Sequence, residues 1–202
     1  MNFLAHTFLS GKSEEILIGN FIADFLKGNQ FEDYSATIVD GIFLHRKIDS
    51  FTDQHEVVRQ SIQRLRQDYG KYSGVIVDIY YDHYLAMNWH KYAKRSLHEH
   101  AQYVYRVLEK NIDILPPKVQ EVLPYMVKQN WLAGYANLEN IGRALTRVSE
   151  RISKRTQYDS KIELAIKNLE TGYREFENDF NVFFPDMIVY INAFLSKIHT
   201  EV

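Results

Sequence analysis

The chain contains no cysteine. That absence excludes a disulfide framework, thiol catalysis and any zinc or iron–sulfur site held by sulfur. Proline is scarce, confined to Pro116, Pro117, Pro124 and Pro185. No alternating run of Val and Ile bounded by hairpin turns occurs, which argues against a β protein. No apolar run approaches the roughly 18 residues of a membrane span. Met1 to Gly11 lacks a basic n-region and a long apolar stretch, so no signal peptide is expected. There is no P-loop, no dinucleotide-binding glycine fingerprint and no HExxH, and no GxSxG elbow supports serine-nucleophile chemistry. Net charge is only -2, so no global positive field points to nucleic acid.

The chain has 202 residues, 46% of them hydrophobic and 25% charged, which fits one domain spanning 1–202 around a single core. With 14 Tyr and 12 Phe, aromatic side chains can fill that core. Periodicity is helical nearly throughout, which predicts an all-α, multi-helix bundle. Helices are expected over 2–9, 13–26 with Ser13 as N-cap and a stop at Gly28-Asn29, 35–50, and from Thr52 as the N-cap of a fourth. Asp68 to Gly70 reads as a break. Further helices are expected over 73–86, 89–110 (separate or kinked), 117–132, 138–154, 159–180 and 185–199, with Pro185 as a helix start.

The helices that ought to be buried carry unusual polar residues. These are His6; Asn20 and Asp24; Asp40, His45, Arg46 and Asp49; Thr52, Asp53 and His55; and Asp78, Asp82 and His83. Asn20/Asp24, His45/Asp49 and Asp78/Asp82 are each at i and i+4, so each pair shares a helix face. Two carboxylates in the most apolar helix require compensation worth several kcal/mol in rough terms. A bound cation, Arg46, or arginines between Arg59 and Arg66 would supply it. Mixed imidazole and carboxylate donors suit Mn²⁺, Fe²⁺, Zn²⁺ or Mg²⁺. By spacing alone, a metal site and a buried ion-pair network stand about level. Thr52 and Asp53 are most simply capping groups.

The stretches MNFLAHTFLS, IGNFIADFLKG, GIFLHRKIDSFTDQH, GVIVDIYYDHYLAMNW and NWLAGYANLENIGRALTRVSERI together resemble the acyl carrier protein phosphodiesterase family. The resemblance implies a cytoplasmic, all-α enzyme that uses a divalent cation, typically Mn²⁺, with Mg²⁺ or Fe²⁺ as other options. It implies hydrolysis of the phosphodiester between phosphopantetheine and a serine of acyl carrier protein, and a helical core distantly related to the HD phosphohydrolases. Asp82-His83 is the reverse of the His-Asp doublet of those enzymes, so HD ligand roles are not carried over. By match to the family stretches, Asp24, His45, Asp49, Asp82 and His83 are expected as metal ligands or their supports. His6, Arg46 and Asp78 are expected in phosphate contact, proton transfer or ligand orientation. Asp82 and His83 point about 100° apart on a helix, so both need not reach one ion.

An acidic carrier protein calls for a basic docking face. Lys91, Lys94, Arg95 and His98 fall at the spacing of one helix face. Arg143, Arg147, Arg151 and Arg155 recur every four residues, opposite the apolar stripe that starts at Leu138. Tyr80, Tyr81, Tyr84 and Tyr103 are candidates either for the core or for a channel that takes the pantetheine arm. Two other readings stay open: a nucleotide phosphohydrolase of HD type, and a helical binding module whose His and Asp residues are internal ion pairs.

Overall fold

The computed structural model describes residues 1–28 and 30–198, and no strand occurs among them. The helices are α1 (Phe3–Phe8), α2 (Glu14–Ile22), α3 (Ala36–Gln54), α4 (Glu56–Tyr69), α5 (Ser73–Met87), α6 (Trp89–Tyr92), α7 (Leu97–Lys110), α8 (Pro117–Lys128), α9 (Trp131–Gly134), α10 (Leu138–Thr156), α11 (Ala165–Thr171) and α12 (Tyr173–Ile198). Short 3-10 turns join several of them. Their starts follow capping chemistry. Ser13 and Ser35 each accept the backbone N–H three residues on, and Ser96 with Glu99 forms a capping box at α7. Among the described residues, no helix is long and apolar enough to cross a membrane.

The buried residues form one cluster, and α5 lies at its middle, packed against α1, α4, α10 and α12. Tyr80, Tyr81 and Tyr84 are fully buried. Each hydroxyl has a partner: Ala165 O for Tyr80, Ser61 Oγ for Tyr81, and Tyr173 O for Tyr84. Their rings meet Phe176, Phe180, Phe183 and Tyr173. These tyrosines are therefore core. Tyr103 instead lies under the Arg95 guanidinium, 4.8 Å from its carbon.

Helices α2 and α3 cross backbone to backbone. A Cβ on Gly19 would lie 1.9 Å from the Ile38 carbonyl oxygen, and one on Gly41 would lie 2.3 Å from that of Ile16. Gly19→Ala must therefore push the helices apart, at a cost of about 3 kcal/mol or more. A urea midpoint left unchanged by that substitution would contradict the close crossing. The crossing matters because Asn20 and His45, one residue past Gly19 and four past Gly41, are set by it.

Several sequence expectations are corrected. Thr52 caps no fourth helix: α3 runs on to Gln54, and Thr52 Oγ1 donates back to the Ile48 carbonyl inside it. Pro185 starts no helix but lies inside α12, where the flanking Phe183, Phe184 and Met187 are fully buried and hold the helix together. The segment 89–110 is broken at Ala93 to Ser96, because Ala93 is extended and the Ser96 capping box starts a new helix. Lys91, Lys94, Arg95 and His98 consequently do not share one helix face. Asp24 lies in a 3-10 turn (Ala23–Phe25) beyond the end of α2, not on its face. The expected stop at Asn29 and the expected end at His199 fall outside the described residues.

A candidate metal centre and the cavity beside it

Three elements bring His6, Asp24, His45 and Asp49 together. Helix α1 carries His6, the turn after α2 carries Asp24, and α3 presents His45 and Asp49 from one face at i and i+4. Nε2 of His45 lies 3.2 Å from Asp24 Oδ1 and 3.1 Å from Asp49 Oδ2. Nε2 of His6 lies 3.2 Å from Asp49 Oδ1. The two imidazoles stack with centroids 4.0 Å apart. Both rings are buried, and the carboxylates reach toward solvent.

Asn20, fully buried on α2, fixes the orientation of both rings. Its amide nitrogen donates to the His6 carbonyl and to Ser10 Oγ, which leaves Oδ1 to accept from His6 Nδ1 at 2.8 Å. Its backbone carbonyl accepts from His45 Nδ1, also at 2.8 Å. Both Nδ1–H groups are thus committed, and both Nε2 atoms face carboxylate oxygens. Each Nε2 either carries a proton or points a lone pair at an anion. Two protons would place like charges on rings in stacking contact, so one lone pair is left facing Asp49. A shared cation resolves that conflict, and neutral imidazole with carboxylate is a suitable donor set for one. The ligand atoms of His6, His45 and Asp49 lie within 4.8 Å of one another, near the span of one ion with ligands at about 2.0–2.2 Å.

Charge states follow from the same contacts. Burial opposes a proton on His45, but hydrogen bonds to Asp24 and Asp49 prevail and push its pKa up to about 9. Burial holds His6 below its usual value, against the pull of Asp49. The hydrogen bond from His45 lowers Asp24, and burial of Asp49 is outweighed by hydrogen bonds from His45 and His6, which lower it well below the usual carboxylate range. For the metal-free protein the sign is definite. The depressed carboxylates contribute stability above about 3.8, and it is lost as pH falls; raised His45 contributes below 6.5, and that is lost as pH rises through about 9. Denaturation of chelator-treated protein is therefore expected to need less urea at pH 9.5 than at pH 6.5, and His45→Gln is expected to flatten that fall. No change across this range in the parent protein would mean that the ion pairs do not form.

The remaining candidates lie elsewhere. Asp82 is fully buried and accepts the backbone N–H groups of Asn2, Leu4 and Ala5 at 3.2, 2.7 and 3.3 Å, which makes it the carboxyl that caps the start of α1, and burial pushes its pKa up to about 7 against those hydrogen bonds. Asp78 pairs with the Met1 ammonium at 2.7 Å. The two carboxylates of α5 are thus compensated by the first residues of the chain, neither by Arg46 nor by the arginines of α4. His83 uses both nitrogens, with Tyr135 O at 2.7 Å and the Tyr173 hydroxyl at 3.0 Å. The structure does not bring Asp82 and His83 into the His–Asp cluster. Arg46 is exposed, and its guanidinium carbon is 5.4 Å from both the Phe31 and Phe43 centroids.

A cavity of about 730 Å³ opens beside the cluster. It is lined by Asp24 and Asp78, by Val75 and Ile79 of α5, and by residues of α8 and α10, and of the His–Asp cluster Asp24 is the member that reaches it. Arg143, Arg147 and Arg151 line it from α10, so this row borders a concave site and is not merely an outer face. The Arg147 guanidinium carbon is 4.7 Å from the Trp131 centroid, and Arg143 pairs with Glu139. Sequence spacing gave no sign that Asn20 would orient both imidazoles, or that Trp131 and Tyr135 would line a cavity.

Residues 1–187 match the model of the family described as acyl carrier protein phosphodiesterase. A protein of that name from Photorhabdus laumondii is 33% identical over 192 residues, covering 93% of each chain. One from Pectobacterium atrosepticum is 33% identical over 189 residues, with 93% of this chain and 96% of the relative covered. No solved structure matches the chain. With a family match over residues 1–187, and relatives that align with 93% of it, this chain belongs to the acyl carrier protein phosphodiesterase family.

Proposed function

We propose that this protein hydrolyses the phosphodiester that links 4'-phosphopantetheine to a serine of acyl carrier protein, releasing apo carrier and phosphopantetheine. The observation that carries the metal-dependent form of this reading is the pair of pinned imidazoles facing Asp24 and Asp49 beside a large cavity. His6, His45, Asp49 and Asp24 would hold a divalent cation, Mn²⁺ foremost. Such a cation, when bound, lowers the pKa of water and neutralises charge on phosphoryl oxygens.

The chain's own residues account for the rest. Asn20 keeps both Nε2 atoms turned toward the site. The buried side of the cluster excludes bulk water and strengthens its electrostatics. The departing serine oxygen needs a proton as its bond to phosphorus breaks. Asp78 lines the cavity and is tied to no histidine; burial raises its pKa, although the Met1 ammonium opposes this. A cavity-lining carboxyl whose pKa is raised is the group placed to serve as general acid. Arg143, Arg147 and Arg151, at the cavity wall, suit an acidic carrier delivering its arm. Arg46 is assigned no phosphate contact, because its side chain is engaged with Phe31 and Phe43.

The test is intact-mass analysis of holo acyl carrier protein incubated with this protein and Mn²⁺, with and without chelator. Loss of the phosphopantetheine mass only when metal is present is expected. An unchanged carrier with folded, metal-supplied protein would overturn the assignment. Turnover that persists in chelator would overturn the cation alone.

A further inference from the structure

Tyr135 is only 8% exposed, and its hydroxyl has no hydrogen-bond partner among the described residues. Its backbone carbonyl is taken by His83, so the phenol is the free polar group of the residue. The hydroxyl oxygen is not among the fully enclosed unpartnered atoms, so it opens onto accessible space with its donor unused. The cavity supplies that space. Tyr135 lines it, and the charged groups that act on its hydroxyl are Asp82 first, then Arg147 of α10 and Asp78 of α5, the last two lining the same space. Burial raises its pKa well above the ordinary phenol value, so the hydroxyl keeps its proton and remains a donor.

The surrounding wall restricts what that donor meets. Phe3, Phe25, Val122, Met126, Ile141 and Val148 make most of the lining apolar. A sugar would leave its many polar groups facing these side chains, while Lys118, Arg143, Arg147 and Arg151 on the same lining offer positive charge to an anionic end of the ligand. An extended chain with methyl groups and a few neutral amide carbonyls fits better, with its charged end toward the Asp24 side. The volume of about 730 Å³ lies within the range of about 300–1,000 Å³ usual for small-molecule sites.

We propose that this cavity seats the pantetheine portion of the substrate, and that the Tyr135 hydroxyl donates a hydrogen bond to one of its amide carbonyls, making Tyr135 a specificity-determining residue. The proposal rests on the phosphodiesterase reading and adds to it the place where the arm is read.

The test uses free pantetheine, which lacks the phosphate and so needs no metal. Trp131, one of two tryptophans, lines the cavity and reports on its occupancy through fluorescence. Titration of metal-free protein with pantetheine is expected to give a saturable change in the parent protein and about fivefold weaker binding in Tyr135→Phe. That variant removes only an unpartnered hydroxyl, so folding is expected to survive. Ala144→Phe, which fills the cavity from α10, is expected to abolish the change. With the whole enzyme, Tyr135→Phe is expected to raise KM for holo carrier about fivefold while kcat changes little. Absence of saturable pantetheine binding to the parent protein, or binding equal in Tyr135→Phe, overturns the proposal even where the parent protein releases phosphopantetheine. A parent protein that binds pantetheine in a Tyr135-dependent manner but leaves holo carrier intact supports the subsite and overturns the phosphodiesterase reading instead.

Discussion

Asp49→Ala is expected, on the proposed metal-dependent reading, to abolish divalent-cation retention and to lower turnover of holo carrier by about 10³-fold or more. Asp49 is the residue on which the cluster converges, since its two oxygens face His6 Nε2 and His45 Nε2 at 3.2 and 3.1 Å. Alanine leaves two imidazoles stacked at 4.0 Å with only Asp24 beside them. A catalytic cation contributes several kcal/mol of transition-state stabilisation, and each ~1.4 kcal/mol lost is a tenfold loss in rate. Metal content after dialysis and single-turnover rates would be measured together. Asn20→Ala touches no carboxylate and keeps the backbone carbonyl that holds His45, but it releases the His6 ring, so a smaller loss of about 10–100-fold is expected. Asp49→Ala protein that retains stoichiometric metal and full turnover would remove the cluster from the mechanism.

Asp82→Ala is expected to cost about 3–5 kcal/mol of stability and about 10 °C in thermal midpoint. Helix α1 has 6 residues, too short to hold its shape alone. It is fixed by Asp82, which accepts three of its leading N–H groups in a fully buried place. Removing the acceptor leaves those donors buried and unpaired. Asp82→Asn retains an acceptor oxygen and is expected to lose less. Because α1 carries His6, Asp82→Ala should also weaken metal retention, although Asp82 lies outside the cluster. An unchanged urea midpoint would show that α1 is held by its apolar contacts alone.

Local chemistry was legible in the chain. The serine caps at Ser13 and Ser35, the break at Asp68 to Gly70, and the helical spacing of α5 and α10 depend on neighbours within a turn or two. The same is true of His45 and Asp49, which share a face of α3 whatever surrounds it. Thr52 and Pro185 misled because each carries a local signal that the surroundings override. Thr52 satisfies its hydroxyl within α3, and Pro185 lies in a helix held by buried aromatic packing.

The sequence by itself determined the all-helical class, the absence of sulfur chemistry, the family, and a short set of His and Asp residues from which a site is drawn. Only the tertiary structure decided how that set divides. His6 joined His45 and Asp49 because the α2–α3 crossing at Gly19 and Gly41 places Asn20 at the Nδ1 edges of both stacked rings. Asp82 and His83 were drawn away because the start of α1, the Tyr135 carbonyl and the Tyr173 hydroxyl reach them. The physical reason is that a side chain's role depends on which long-range partner satisfies its polar atoms. Residues 14, 25 and 80 positions apart meet only once the chain has packed.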